Sequence, residues 1–358
     1  MRPLVLLAAF LLAPLATAQT LELIGTVPMP AIVNDSTEVG GTDVWPYIAP
    51  DGSEYAIMGE LNGVSIVAVP SLEVVARVPG PTERARSYWR DIKTYGDYAY
   101  VVTEAYGPNE GLQVIDLSNL PESAEEVAVV RGPDDALVSS HNLSIDVETG
   151  HAYVLNSNGS AIVILSLADP VAPEVVGQLD VGGSHDVFAR DGRAYVAEGR
   201  QPFISVWDTT DPSSPVLLTK IAIPDAGYVH NVWPNEDDTI MLTTEETADK
   251  TVKAWDISDL ENPVLLGEWL GANKIAHNVH VAGGYAFLSH YTAGLYVLDI
   301  SDPANPVEVA HHDTYDRNDD VKMDGNWGAT LPSPSGYVYG SDQQGQLTVL
   351  RWIPPTDS

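Results

Sequence analysis

Residues 275–310 read IAHNVHVAGGYAFLSHYTAGLYVLDISDPANPVEVA, and this stretch is the unit that the chain repeats. It holds four short apolar runs, Asn278–Val281, Tyr285–Leu288, Leu295–Leu298 and Val307–Ala310, separated by Gly-Gly, Thr-Ala-Gly and Asp-Pro-Ala-Asn-Pro. Branched and aromatic side chains suit a pleated surface, and Gly, Pro and Asp suit the turns between, so the runs predict consecutive antiparallel strands. A self-similar unit of four strands is the signature of a β-propeller blade.

Outward from this unit the pattern recurs. A polar pair opens each copy, at Thr42-Asp43, Arg90-Asp91, His141-Asn142, His185-Asp186, His230-Asn231 and His277-Asn278, and a weaker one at Trp327-Gly328. Successive steps of 48, 51, 44, 45, 47 and 50 residues fit the roughly 40–50 residues of a four-stranded blade. Several third strands end in aspartate, at Asp116, Asp208, Asp256 and Asp299, followed by Ser, Thr or Pro; these side chains suit the capping of a turn rather than chemistry. The last unit runs out at Arg351-Trp352, whereas Leu21–Val27 near the start has no partner and resembles the fourth strands Val216–Ile221 and Val264–Trp269. The expected fold is all-β: a seven-bladed propeller of four-stranded antiparallel blades, closed by an N-terminal strand that completes the last blade. Closure leaves only short protected sheet edges.

The first residues describe a secretory signal peptide: Arg2, an apolar run Leu4–Leu15, then Ala16-Thr17-Ala18 before Gln19. The run is shorter than the roughly 20 residues that span a bilayer. We therefore expect a leader over 1–18, one propeller domain over 19–353 and a short tail over 354–358, secreted to the extracellular or periplasmic space, with no transmembrane segment after cleavage. The chain has no cysteine, which excludes disulfides and thiolate metal sites. Its 50 acidic against 17 basic residues, a net charge of -33, argue against nucleic acid and anionic membranes as partners. We read it as a monomer.

Tyr88-Trp-Arg-Asp-Ile-Lys-Thr-Tyr-Gly-Asp-Tyr-Ala-Tyr-Val-Val-Thr-Glu104, then Gly111-Leu-Gln-Val-Ile-Asp116, resembles the LVIVD-repeat proteins of the choice-of-anchor B family. Ser140–Gly150, the opening unit and the stretch from Asp313 to Asp342 fit the same pattern. The resemblance implies a secreted or surface propeller without an established activity. Its members usually carry a C-terminal sorting segment, which Pro354–Ser358 does not resemble, so release or periplasmic retention is expected over anchoring.

Four histidines, His141, His185, His230 and His277, share one position of the repeat. The first strand of a propeller blade lines the central channel, so equivalent positions form a ring. Imidazole and carboxylate are the donors a transition metal uses. The second strand runs back to the same mouth, and at its ends stand Glu60, Glu104, Glu198, Glu245, His290 and Asp342. A His- and carboxylate-lined mouth could hold a divalent or transition metal, or a small-molecule or peptide ligand. Equally, a repeat can place imidazoles alike for structural reasons. The pair's second residues are expected to bond loop backbones of adjacent blades, with Asp91 also a candidate ligand contact beside Arg90. Arg90 either holds an anionic ligand or pairs with the glutamates. His280, between Val279 and Val281, is expected to pack between blades. No Gly-x-Ser-x-Gly elbow, phosphate loop or His-Glu-x-x-His occurs. The leading expectation is a binding protein, with a metal-dependent hydrolase or oxidoreductase using the channel histidines as alternative and an extracellular scaffold as a second.

Overall fold

A computed structural model describes residues 20–34, 37–81, 89–156 and 161–355. The leader and the last residues of the tail lie outside the described residues. Seven four-stranded antiparallel sheets follow one another along the chain. In six of them the four strands are consecutive, with the first innermost by sequence order and the fourth at the far edge. Their first strands are Gly41–Ile48, Arg90–Tyr95, Ser140–Asp146, Asp186–Arg190, Val229–Pro234 and Val279–Ala282, which we number blades 1 to 6. Blade 7 takes Asn326–Ala329, Tyr337–Asp342 and Gln346–Ile353 from the end of the chain and Thr20–Pro28 from its start. The closing pair is antiparallel, with Leu21 opposite Trp352 and Val27 opposite Leu347.

The alternation within each strand explains the packing. Seven buried apolar clusters are distributed one to each junction between neighbouring blades. Second strands contribute their largest side chains there: Tyr100, Tyr153, Tyr195, Phe287 and Tyr339 are all fully buried. Two of the hydroxyls also bridge blades. Tyr100 donates to the Pro170 carbonyl at 2.9 Å, and Tyr153 meets Thr209 at 2.6 Å, in each case tying one blade to the next. The aspartates that end third strands cap their turns: Asp116, Asp208, Asp256 and Asp299 accept the backbone N–H two residues on at 2.8–3.0 Å.

One irregularity positions the site. Between first and second strands, Ser140 faces Asn156 and Asn142 faces Leu155, so His141 is an extra residue with no partner. His230 and Trp327 are extra in the same way. A bulge sets two residues against one and turns the strand locally. Consecutive residues of the opening pair thereby both reach the channel, which strict alternation would forbid.

Candidate histidine chamber and the channel behind it

Along the first strands the channel is built in three tiers. The first holds the residues that directly precede the belt: Arg90, His141, His185, His230, His277 and Trp327, joined by Trp89. The second is a belt of Asp43, Asp91, Asn142, Asp186, Asn231 and Asn278. The belt position in blade 7 is Gly328, where a Cβ would come 2.6 Å from Ser341 Oγ. Two residues beyond the belt, Trp45, Lys93, Ser144, Phe188, Trp233, His280 and Thr330 form the third tier.

The four histidines come together. Ring centroids of His141, His185, His230, His277, Trp327 and Trp89 follow one another at 4.6, 4.2, 4.3, 4.0 and 4.3 Å, an arc of six rings around the axis. Tyr228 and Tyr291 stand edge-on to His185 and His277 at 4.9 and 5.1 Å. Three imidazoles are oriented through Nδ1. His141 Nδ1 meets Glu104 Oε1 at 2.7 Å, His185 Nδ1 the His230 carbonyl at 3.2 Å, and His277 Nδ1 the Trp327 carbonyl at 2.6 Å. A nitrogen facing a carboxylate or carbonyl oxygen must carry the proton, so in each neutral ring the lone pair resides on Nε2. His141 Nε2 and His185 Nε2 then face each other at 3.1 Å, and His277 Nε2 has no hydrogen-bond partner.

Electrostatics follow from burial. Burial, with further opposition from neighbouring imidazoles, holds His185 and His230 well below the ordinary histidine range. His277 is pushed down to about 3, again chiefly by burial. At neutral pH these three are neutral and able to donate a lone pair. For His141 burial acts downward too, but the hydrogen bond and charge of Glu104 outweigh it and its pKa is raised.

Of the carboxylates expected at this mouth, Glu104 is the one that reaches a histidine. The register explains why. Pairing partners of the residue after the belt are Met58, Val101, Val196, Thr243, Leu288 and Gly340. Glu60, Glu198, Glu245, His290 and Asp342 all stand two places beyond these; Glu104, Glu246 and Tyr291 stand three places beyond. Alternate residues of a strand face opposite ways. The two-place position faces the outer strands: Glu198 pairs with Lys220 at 2.8 Å, Glu245 with Lys253 at 2.5 Å and Glu60 with Arg77 at 4.0 Å. Asp342 accepts from Thr314 at 2.7 Å, and His290 packs edge-on to Trp269 and Tyr296. The three-place position faces the arc. Glu246 Oε2 lies 3.7 Å from His230 Nε2, and its other oxygen accepts from the Tyr291 hydroxyl. Donor atoms of His185, His230 and Glu246 lie within 4.8 Å of one another. Glu246 and Tyr291 escaped the sequence reading; the signal that finds them is the count from the belt's pairing partner, not from the visible end of the strand.

Arg90 is turned out of the arc. Its Nε donates to the Glu60 carbonyl at 3.1 Å, its charge faces Glu110 and Glu60, and Gly80 leaves room for the guanidinium. Asp91 is spent in the belt: it accepts from Leu143 N at 2.7 Å, Ile92 N at 2.9 Å and Lys93 at 2.5 Å. Asp43 accepts from Ile92 N, Asp186 from Asn231 and Asn231 from Val279 N, so the belt stitches blade to blade. The chamber that the arc and belt enclose measures about 30 Å³, close to the share of one liquid water. Contrary to the packing expected between blades, His280 lines the channel, edge-on to Trp233 at 4.4 Å.

Fold and tiers together define a seven-bladed β-propeller built from repeats. The repeat itself is matched: the LVIVD repeat, a β-propeller repeat, is found at residues 88–128 and 274–314, in blades 2 and 6. Among solved structures, "Structure of U3-55K" is similar with a TM-score of 0.65 at 10% identity, covering 90% of this chain and 98% of that one. At that identity the likeness concerns the fold alone. None of the curated proteins matches the chain. Among the described residues no helix is long and apolar enough to cross a membrane.

Proposed function

We propose that this propeller binds a divalent first-row transition metal, of the zinc class, in the histidine chamber. The observation that carries the reading is the facing pair of nitrogens, His141 Nε2 and His185 Nε2 at 3.1 Å. With both Nδ1 atoms committed to acceptors, two lone pairs oppose each other there unless a metal ion stands between them or His141, whose pKa Glu104 raises, takes a proton on Nε2. Two nitrogens each 2.0–2.1 Å from a tetrahedral zinc are about 3.3 Å apart. His230 and Glu246, whose donor atoms lie within 4.8 Å of that of His185, add a nitrogen and an oxygen without thiolate, which suits zinc, copper or nickel. The Glu104 carboxylate and the backbone carbonyls behind the imidazoles are the outer contacts that orient metal-binding histidines. The chamber's volume fits an ion and leaves no room for an organic ligand among the imidazoles, which favours a metal-binding role over a small-molecule or peptide site in this tier.

The test uses untagged protein stripped with a chelator and titrated with Zn²⁺ against a competing chromophoric chelator. One ion should bind per chain, and the His185→Ala, His230→Ala double variant should lose about 100-fold or more in affinity while keeping its circular dichroism. A wild-type chain without stoichiometric binding overturns the proposal, and the facing nitrogens are then bridged by a proton on His141. The leader-like residues 1–18 support export of the chain, and the motifs shared beyond the matched repeats support a place in the choice-of-anchor B group. Export predicts that protein recovered from its native host begins at Gln19; an intact Met1 in the mature protein would refute it.

A further inference from the structure

Behind the belt the channel widens into a second cavity of about 570 Å³, within the range of small-molecule sites, roughly 300–1,000 Å³. Its walls are the aromatic rings of the third tier, and its floor is the belt.

One half of that floor already holds an ammonium. Lys93 Nζ lies 2.5 Å from Asp91, 3.3 Å from Asp43 and 2.9 Å from the Ile92 carbonyl, and 4.3 Å from the centre of the Trp45 ring. Its three N–H groups are thereby used. The other half repeats the chemistry without the cation. Asp186 accepts from Asn231 Nδ2 and from Val187 N, each at 2.6 Å, and the charge of Lys93 reaches it without a direct ion pair. Phe188 and Trp233 stand beside it with centroids 4.4 Å apart. Arg190, the nearest basic residue in sequence, is committed to Asp238 and the Asn235 carbonyl. A second observation points the same way. His280 lines this cavity while 94% of its surface is buried, and its Nδ1 has no partner; its other nitrogen faces the Ala329 carbonyl, so the orphan is an acceptor. The floor is short of donors, and the field of a chain at -33 enriches cations at such a mouth.

We propose that this funnel is a second binding site, independent of the metal, for a small primary ammonium compound with an apolar or aromatic body. The ammonium donates to Asp186 as Lys93 does to Asp91, and the body stacks among Phe188, Trp233 and Trp45.

Three probes of one shape test it on the full chain, by calorimetry and tryptophan fluorescence: phenethylammonium, 2-phenylethanol and 3-phenylpropionate. Phenethylammonium should bind at least about tenfold more tightly than the alcohol, a difference of about 1.4 kcal/mol, and the carboxylate should not bind measurably. Asp186→Asn should remove that preference and leave the alcohol's affinity unchanged, and Trp233→Ala should weaken both. Equal binding of alcohol and ammonium, no binding of the ammonium, or a folded Asp186→Asn variant with its preference intact would each overturn the proposal. Should Asp186→Asn fail to fold, the wild-type preference together with Trp233→Ala decides. The metal-site double variant should bind phenethylammonium as wild type does, which separates the two sites.

Discussion

The chamber and the funnel are made from the same strands, three residues apart, yet they are opposite solutions to lining a ring. In the first tier four of seven blades place the same side chain, and the rings pack into an arc that leaves about 30 Å³. In the third tier the seven blades place six kinds of side chain, and the result is a cavity of about 570 Å³. Repetition closes a channel, because identical flat rings stack; variety opens it, because unlike side chains do not. The belt between them is the insulating layer. Asp43, Asp91, Asp186 and Asn231 each bond the next blade, so each end can vary without loosening the wheel.

Four substitutions test that contrast. The largest effect is expected outside both sites. Glu245 and Lys253 form an ion pair in which both side chains are almost fully buried; breaking such a pair costs up to about 3–5 kcal/mol, and the half-exposed Glu268, 3.6 Å from the ammonium, offsets part of that. Glu245→Gln should therefore lower stability strongly in urea unfolding while leaving zinc stoichiometry unchanged. Glu246→Gln should do the reverse, reducing zinc affinity about 10- to 100-fold with a small change in the unfolding midpoint. If the two variants exchange phenotypes, the register that sends one glutamate outward and its neighbour to the axis is wrong.

Acid separates the tiers less sharply. An unfolded imidazole takes up its proton near pH 6.5, whereas burial withholds it from His280 until about 3. Over that window the unfolded chain binds the additional proton, so stability falls as pH falls. His280→Phe should make this acid slope shallower in unfolding titrations followed at several pH values; an unchanged slope would place the imidazole in water. Asp342 acts with the opposite sign. Burial raises it to about 7 against roughly 3.9 when unfolded. The native chain therefore holds a proton that the unfolded one lacks, and stability is gained as pH falls between those values. Asp342→Asn should remove this contribution, the smallest of the four effects because the substituted amide keeps the Thr314 contact. A variant whose pH profile matches wild type would contradict it.

The wheel was legible from turns and spacing, since each blade must begin and end in residues that suit a turn whatever it carries. The histidine tier was legible because four blades repeat one side chain. Glu246 was not, because Glu245, the glutamate that ends the visible strand, stands directly before it, and two adjacent glutamates carry no sign of which one faces the axis. The third tier was silent for a different reason. Trp45, Lys93, Ser144, Phe188, Trp233, His280 and Thr330 share a place but no chemistry, so no pattern of residue type betrays them. Only register reveals that His280, flanked by valines, faces the channel.

The pairing of Thr20–Pro28 with Gln346–Ile353 has a consequence for biogenesis. The strand made earliest cannot find its neighbours until the strand made last has emerged, so the wheel cannot be finished in the order in which it is synthesised. Six blades can assemble sequentially, but the final clasp waits for Gln346–Ile353. A ribosome stalled a few residues short of Ile353 would hold an open wheel with two sticky sheet edges.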